Sequence, residues 1–354
     1  RTLRRPGIRC GKVLLQKMSV CNNNIGCWKI PIYDALMDRI MAMMNVLTDI
    51  RYWVAAAIVV AMLVGSLGEI VSDLVILVLM LQMIAAMHGL SFHRKDFKAD
   101  AKPIFWSFVS CFGICTIITL LIGALFIPGN ENLWYGWVML AAVPSGVSVI
   151  TLSLMMRGNR VMSVLALTVT YLIALGLTPL ITTVFIGNAI SPLEIFKYVL
   201  LFIAVPLLVN VPLKKVQINR NAKVVFINIM MFLLMVFSIG NNRDFIFGEP
   251  DVVALILLAC VVRTFGVSLV MIHILKRRGA DRDNSVVYMG FAVWKNSGLA
   301  TTMCLVLLSG IPEASLPCVL SLLMESVWFA VMTGYIKKRW PPAESIQEEV
   351  LATG

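Results

Sequence analysis

Charge is scarce in this chain. Asp, Glu, Lys and Arg together make 14% of 354 residues, and there are 3 histidines. After position 50 no polar stretch runs longer than about a dozen residues, which excludes a multidomain soluble enzyme. HExxH, a clustered Cys/His set and a Walker A loop are all missing, so a zinc hydrolase or nucleotide-binding reading has no footing. The 8 cysteines show neither metal-ligand spacing nor a disulfide framework. Cys111, Cys115, Cys260, Cys304 and Cys318 fall in apolar runs, where a cysteine acts as a small packing residue. No long apolar run follows the basic start, so a cleaved signal peptide is not expected. No convergent nucleophile, base or metal set marks an enzyme.

What the chain has is apolar length. Hydrophobic residues make 59% of it, against about 45–50% in a soluble domain. The class this implies is an all-α polytopic membrane protein. A net charge of +11 then belongs to basic loops beside anionic headgroups, not to nucleic acid. Ten apolar segments follow Arg51, at about 51–68, 73–92, 103–127, 133–156, 160–187, 194–213, 223–240, 250–275, 285–309 and 313–336. Each is close to the roughly 20 residues that span the hydrocarbon. Residues 1–50 form a basic N-terminal region to which no function is assigned, and 338–354 form a tail.

The loops test the count. Arg94, Lys95, Lys98 and Lys102 follow the second segment; Arg157 and Arg160 the fourth; Lys214, Lys215, Arg220 and Lys223 the sixth; Lys276, Arg277, Arg278 and Arg282 the eighth. Lys337, Lys338 and Arg339 follow the tenth. The intervening loops are neutral or acidic, with Arg243 as their one basic residue. By the positive-inside rule both termini are expected in the cytoplasm.

Two segments are interrupted. The ninth contains Lys295-Asn-Ser-Gly298 at its centre. A lysine at mid-membrane costs at least about 2.5–3.5 kcal/mol on insertion scales, and Asn, Ser and Gly end helices rather than continue them. The fourth carries Pro144-Ser-Gly146. Each is the fourth helix of a five-helix half, 51–187 or 188–337. Because five is odd, the halves enter the membrane from opposite sides. Paired interruptions at matching places in an inverted repeat point to a transporter's binding site. The competing reading is two unrelated kinks. Pro144, Ser145, Gly146, Asn296, Ser297 and Gly298 are the expected substrate-binding residues.

At these residues the chain resembles the bile acid:sodium symporter family. The fragments that carry the likeness are Asn296-Ser-Gly-Leu-Ala300, Pro144-Ser-Gly146 followed by Arg157-Gly-Asn159, and Gly89-Leu-Ser-Phe92 before Asp96-Phe97. The resemblance spans about 51–337. It implies ten helices in two inverted five-helix repeats, with helices 4 and 9 broken and crossing at the substrate site. It also implies sodium ligands, and here the chain departs from the pattern. The family's helix-9 glutamate and glutamine fall on Phe291 and Lys295. Its helix-4 Ser-Asn pair falls on Val149 and Ile150, and a helix-5 threonine near Leu167, while Ser163 matches a ligand serine. Hydrocarbon side chains offer sodium no oxygen, and lysine brings a competing charge. Lys295 is therefore expected to stand in for a bound sodium ion. The alternative is a conventional sodium symporter whose site has shifted to Ser148 or Thr151.

Three ionisable residues lie within apolar segments: Arg263, Lys295 and Glu325. Such residues face the bundle interior and pair with one another. One reading is a buried ion pair, Glu325 with Lys295 or Arg263, that only fixes packing. The other makes Lys295, Glu325, Arg263 and Ser163 the machinery of ion or proton coupling. The expected function is secondary active transport of an organic anion, bile-acid-like or a small carboxylate, in the lipid bilayer. No cofactor is expected beyond sodium or a proton as coupling ion. A membrane sensor or a channel of the same fold is the competing class.

Overall fold

The computed structural model describes residues 31–341, apart from 67, 69, 89–100, 188 and 214. The fragments Gly89-Leu-Ser-Phe92 and Asp96-Phe97, and most of the two terminal regions, lie outside the described residues. The chain divides into two compact units, Arg1–Val46 and Leu47–Gly354. Most of helix α1 (Pro31–Thr48) belongs to the first.

Among the described residues of the second unit, the regular elements are all helices. In chain order it holds α2 (Ile50–Val64), α3 (Ile70–Met87), α4 (Ala101–Ala124), α5 (Glu131–Ala142), α6 (Ser148–Met155) and α7 (Arg160–Ile186). There follow α8 (Pro192–Leu213), α9 (Arg220–Asn241), the short α10 (Arg243–Gly248), α11 (Pro250–Arg277), α12 (Arg282–Val293), α13 (Ser297–Leu307) and α14 (Leu316–Arg339). Among the described residues, six helical stretches are long and apolar enough to cross a membrane: α4, α7, α8, α9, α11 and Pro312–Arg339. Leu63, Leu121, Leu125, Val184, Leu193 and Leu208 stand exposed on the helices, as lipid-facing side chains do. This is an integral, multi-pass membrane protein.

Asparagine and aspartate start the helices. Asn130, Asn159, Asn219, Asp281 and Asn296 each accept a backbone N–H of the first turn of α5, α7, α9, α12 and α13. Each cap satisfies a donor the helix itself leaves free, and losing one costs about 0.5–2 kcal/mol.

Three helices contain a π-helical turn: Val109–Cys115 in α4, Leu200–Ala204 in α8 and Val262–Gly266 in α11. Such turns re-aim side chains and collect at functional sites. Glycine lets the interrupted helices pack closely. A Cβ on Gly136 of α5 would lie 1.9 Å from the backbone oxygen of Ala314. One on Gly290 of α12 would lie 2.7 Å from Leu152 Cδ2 of α6.

Candidate functional site: the crossing of two broken helices

α5 ends at Ala142, Val143 is extended, and α6 begins at Ser148. Pro144 has no N–H to continue the helix. α12 ends at Val293, Trp294 is extended, and Asn296 caps α13. The two gaps meet. Ser145 and Lys295 form an antiparallel bridge. Gly146 N donates to Trp294 O at 3.3 Å, and Asn296 N donates to Pro144 O at 2.8 Å. Irregular backbone at membrane depth must find partners within the protein, and each gap here is the other's partner. A Cβ on Gly146 would stand 3.0 Å from Trp294 Cδ1 and 3.2 Å from Lys295 O, so glycine permits the approach.

Lys295 is fully buried. Its Nζ donates to Ala141 O at 2.9 Å, Val143 O at 2.8 Å and Thr116 Oγ1 at 3.0 Å. It also lies 3.8 Å from Cys111 Sγ and 4.9 Å from the centroid of the Phe112 ring. The ammonium thus sits on the last carbonyls of α5, the negative end of that helix. Thr116 spends its own proton on Ala141 O at 2.7 Å, and Thr178 Oγ1 donates to Ala142 O at 2.8 Å. Three acceptors meet three N–H donors, the full complement of an ammonium group.

Arg263 serves the other broken helix. Nη1 donates to Val293 O, the end of α12, at 3.0 Å. Nη2 donates to Ser321 Oγ at 2.7 Å and to Glu325 Oε1 at 2.5 Å. Glu325 in turn accepts from Ser297 Oγ at 2.9 Å and from the backbone N of Lys295 at 3.3 Å. The ion pair is therefore Arg263 with Glu325, while the Lys295 side chain reaches α5 instead. Geometry decides this: the Lys295 N–H points at the carboxylate, and its side chain leaves in another direction.

Asn296 and Gly298 face outward from this cluster. Asn296 Nδ2 donates to Tyr171 OH at 2.9 Å and lies 3.4 Å from Met83 Sδ. Gly298 borders Gln82 of α3 and Met231 of α9, each 3.6 Å from where a Cβ would be. Gln82 Oε1 is buried without a hydrogen-bond partner. Pro144, Ser145, Gly146, Asn296, Ser297, Gly298, Lys295, Arg263 and Glu325 thus share one junction. Ser163 does not join it by any hydrogen bond among the described residues; its hydroxyl donates to Arg160 O at 2.7 Å within α7. Val149, Leu167 and Phe291 are buried apolar packing, and Val149 rests on Gly290.

Sequence reasoning missed Thr116, Cys111, Tyr171, Ser321 and Gln82. An amide in the middle of an apolar run was a readable signal for Gln82. The small polar residues carry none, being common in membrane helices for their own backbone bonds.

Interrupted helices that meet at a buried, charged junction in a multi-pass membrane protein are the way many secondary transporters build their binding sites. The family model described as Sodium Bile acid symporter family matches residues 73–248. The chain belongs to that family, whose members are transporters and not enzymes. The matched stretch includes Pro144, Ser145, Gly146 and Ser163 but ends before Arg263, Lys295 to Gly298 and Glu325. No curated protein matches the chain.

Proposed function

We propose that the protein is a secondary active transporter moving an organic anion across the cytoplasmic membrane by alternating access, without a bound sodium ion. The helices from α2 to α14 would make ten crossings in two inverted five-helix repeats, with α5 and α6 as one interrupted span and α12 and α13 as the other. Both termini would lie in the cytoplasm. Three correspondences support the repeat. Each half has its break in the fourth span, a π turn in the third, and a buried cation on the carbonyl end of its first half-helix.

One observation carries the reading: the backbone bridge between Ser145 and Lys295, which makes the two breaks a single junction. The substrate would bind beside the junction, on the side of Asn296, Gly298, Tyr171 and Gln82. The donors of Lys295 and the Nη groups of Arg263 are taken up by protein partners, with Arg263 Nε left buried and without one, so these cations would act on the anion through their field rather than by contact. Lys295 takes the place of the coupling ion: two carbonyls and a hydroxyl surround its Nζ as oxygens would surround a metal ion.

The test is a thermal-shift screen of the purified protein against organic anions. A ligand at 100 times its Kd stabilises the folded state by about 2.7 kcal/mol. Asn296→Leu, which removes the amide facing Tyr171 and adds bulk, should abolish the shift while the variant still folds and reaches the membrane. A variant that binds like the wild type would place the site elsewhere.

A further inference from the structure

Charge at the junction does not balance. Among the described residues, the ionised groups buried at the crossing are Arg263, Lys295 and Glu325. Arg282 is also buried, but it lies at the far end of α12, where it pairs with Asp283 and donates to Met156 O. The half-helices cancel one another electrostatically: the carbonyl ends of α5 and α12 and the amide ends of α6 and α13 all meet at the same place. Two cations against one carboxylate leave a single positive charge in excess. Arginine does not give up its proton. The ammonium of Lys295 has an acceptor for each N–H, and its hydroxyl neighbour Thr116 points its own proton away. Neither cation can diffuse off, since both are part of the chain.

We infer that this built-in excess charge makes the protein an obligate exchanger of monovalent organic anions. The inference rests on the transporter reading above and adds stoichiometry and substrate valence to it. A carrier that binds a mobile cation releases it before returning empty, so its empty site need not carry that charge. This chain cannot do so. During the step in which the junction is closed to both sides, an empty site would hold an unpaired charge away from water, which is strongly unfavourable. A bound monoanion neutralises the site; a dianion would leave it negative. Only the form loaded with a monoanion therefore crosses readily, and each anion that enters requires another to leave. The loaded junction is neutral, so exchange is insensitive to the membrane potential.

The experiment uses purified protein in liposomes and two monoanion probes, radiolabelled taurocholate and pyruvate. Uptake of each is compared between vesicles preloaded with the same unlabelled anion and vesicles loaded with sucrose. The expected result is uptake at least ~10-fold faster into the anion-loaded vesicles for one or both probes, a difference of about one decade in barrier crossing. Clamping a potassium diffusion potential of either sign should leave that rate unchanged. Equal uptake into sucrose-loaded vesicles, or exchange that follows the potential, overturns the exchange mechanism and leaves the transporter reading standing. No flux of either probe under any loading overturns the transporter reading itself.

Discussion

Arg263, Lys295 and Glu325 form a hydrogen-bonded chain from α4 through the crossing to α14, and their partners set what each substitution should do. Glu325→Gln leaves the Arg263 guanidinium buried without its counter-charge. Removing one partner of a buried pair costs about 3–5 kcal/mol. Thr116→Val removes one of three acceptors of Lys295 and one donor to Ala141 O, and an unmet buried group costs about 1–3 kcal/mol. Melting in detergent should therefore fall in both variants, and further for Glu325→Gln; the opposite ranking would contradict the assigned network. The three charges were legible in the sequence because a charge in an apolar run is rare. Which of the two cations Glu325 pairs with was not, since that depends on the direction in which a side chain leaves the broken backbone. Thr116 and Ser321 were not legible either, because a hydroxyl in a membrane helix is ordinarily satisfied by its own helix.

Among the elements, the four half-helices carry the argument, and their packing can be tested with glycine. The backbone oxygen that a Cβ on Gly136 would meet cannot swing aside. The Leu152 methyl that one on Gly290 would meet is the end of a flexible side chain. Overpacking costs about 1–3 kcal/mol. Gly136→Ala should reach the upper end of that range or fail to fold, while Gly290→Ala should lose less; equal melting temperatures would contradict the close packing of α5 on the turn before α14. The breaks themselves were readable from Pro144 and from Asn296, one lacking an N–H and the other a good cap. The π turns of α4, α8 and α11 were not, since no residue type marks them. That the two breaks cross came only from the family resemblance, because a contact between residues 145 and 295 leaves no local trace in sequence. The first apolar segment extends to 68 in the sequence, but α2 stops at Val64, where Gly65 at φ +71 caps it and its carbonyl approaches Gly240.

For the whole molecule, alternation of basic and neutral loops predicts ten crossings with cytoplasmic ends. A single cysteine placed at Glu249 should be labelled by an impermeant reagent from outside intact cells, and one at Arg278 should not; both positions are exposed, so accessibility alone would not distinguish them. External labelling at Arg278 would invert the topology. The membrane class was legible from composition, whereas the proposed replacement of a mobile coupling ion depends on where one ammonium group rests. The measurement that tests this most directly is anion uptake into liposomes preloaded with the same unlabelled anion, with sodium replaced by choline. With Lys295 on the carbonyls of Ala141 and Val143, uptake should be unchanged without sodium. Strict dependence on sodium, saturating with its concentration, would contradict the account.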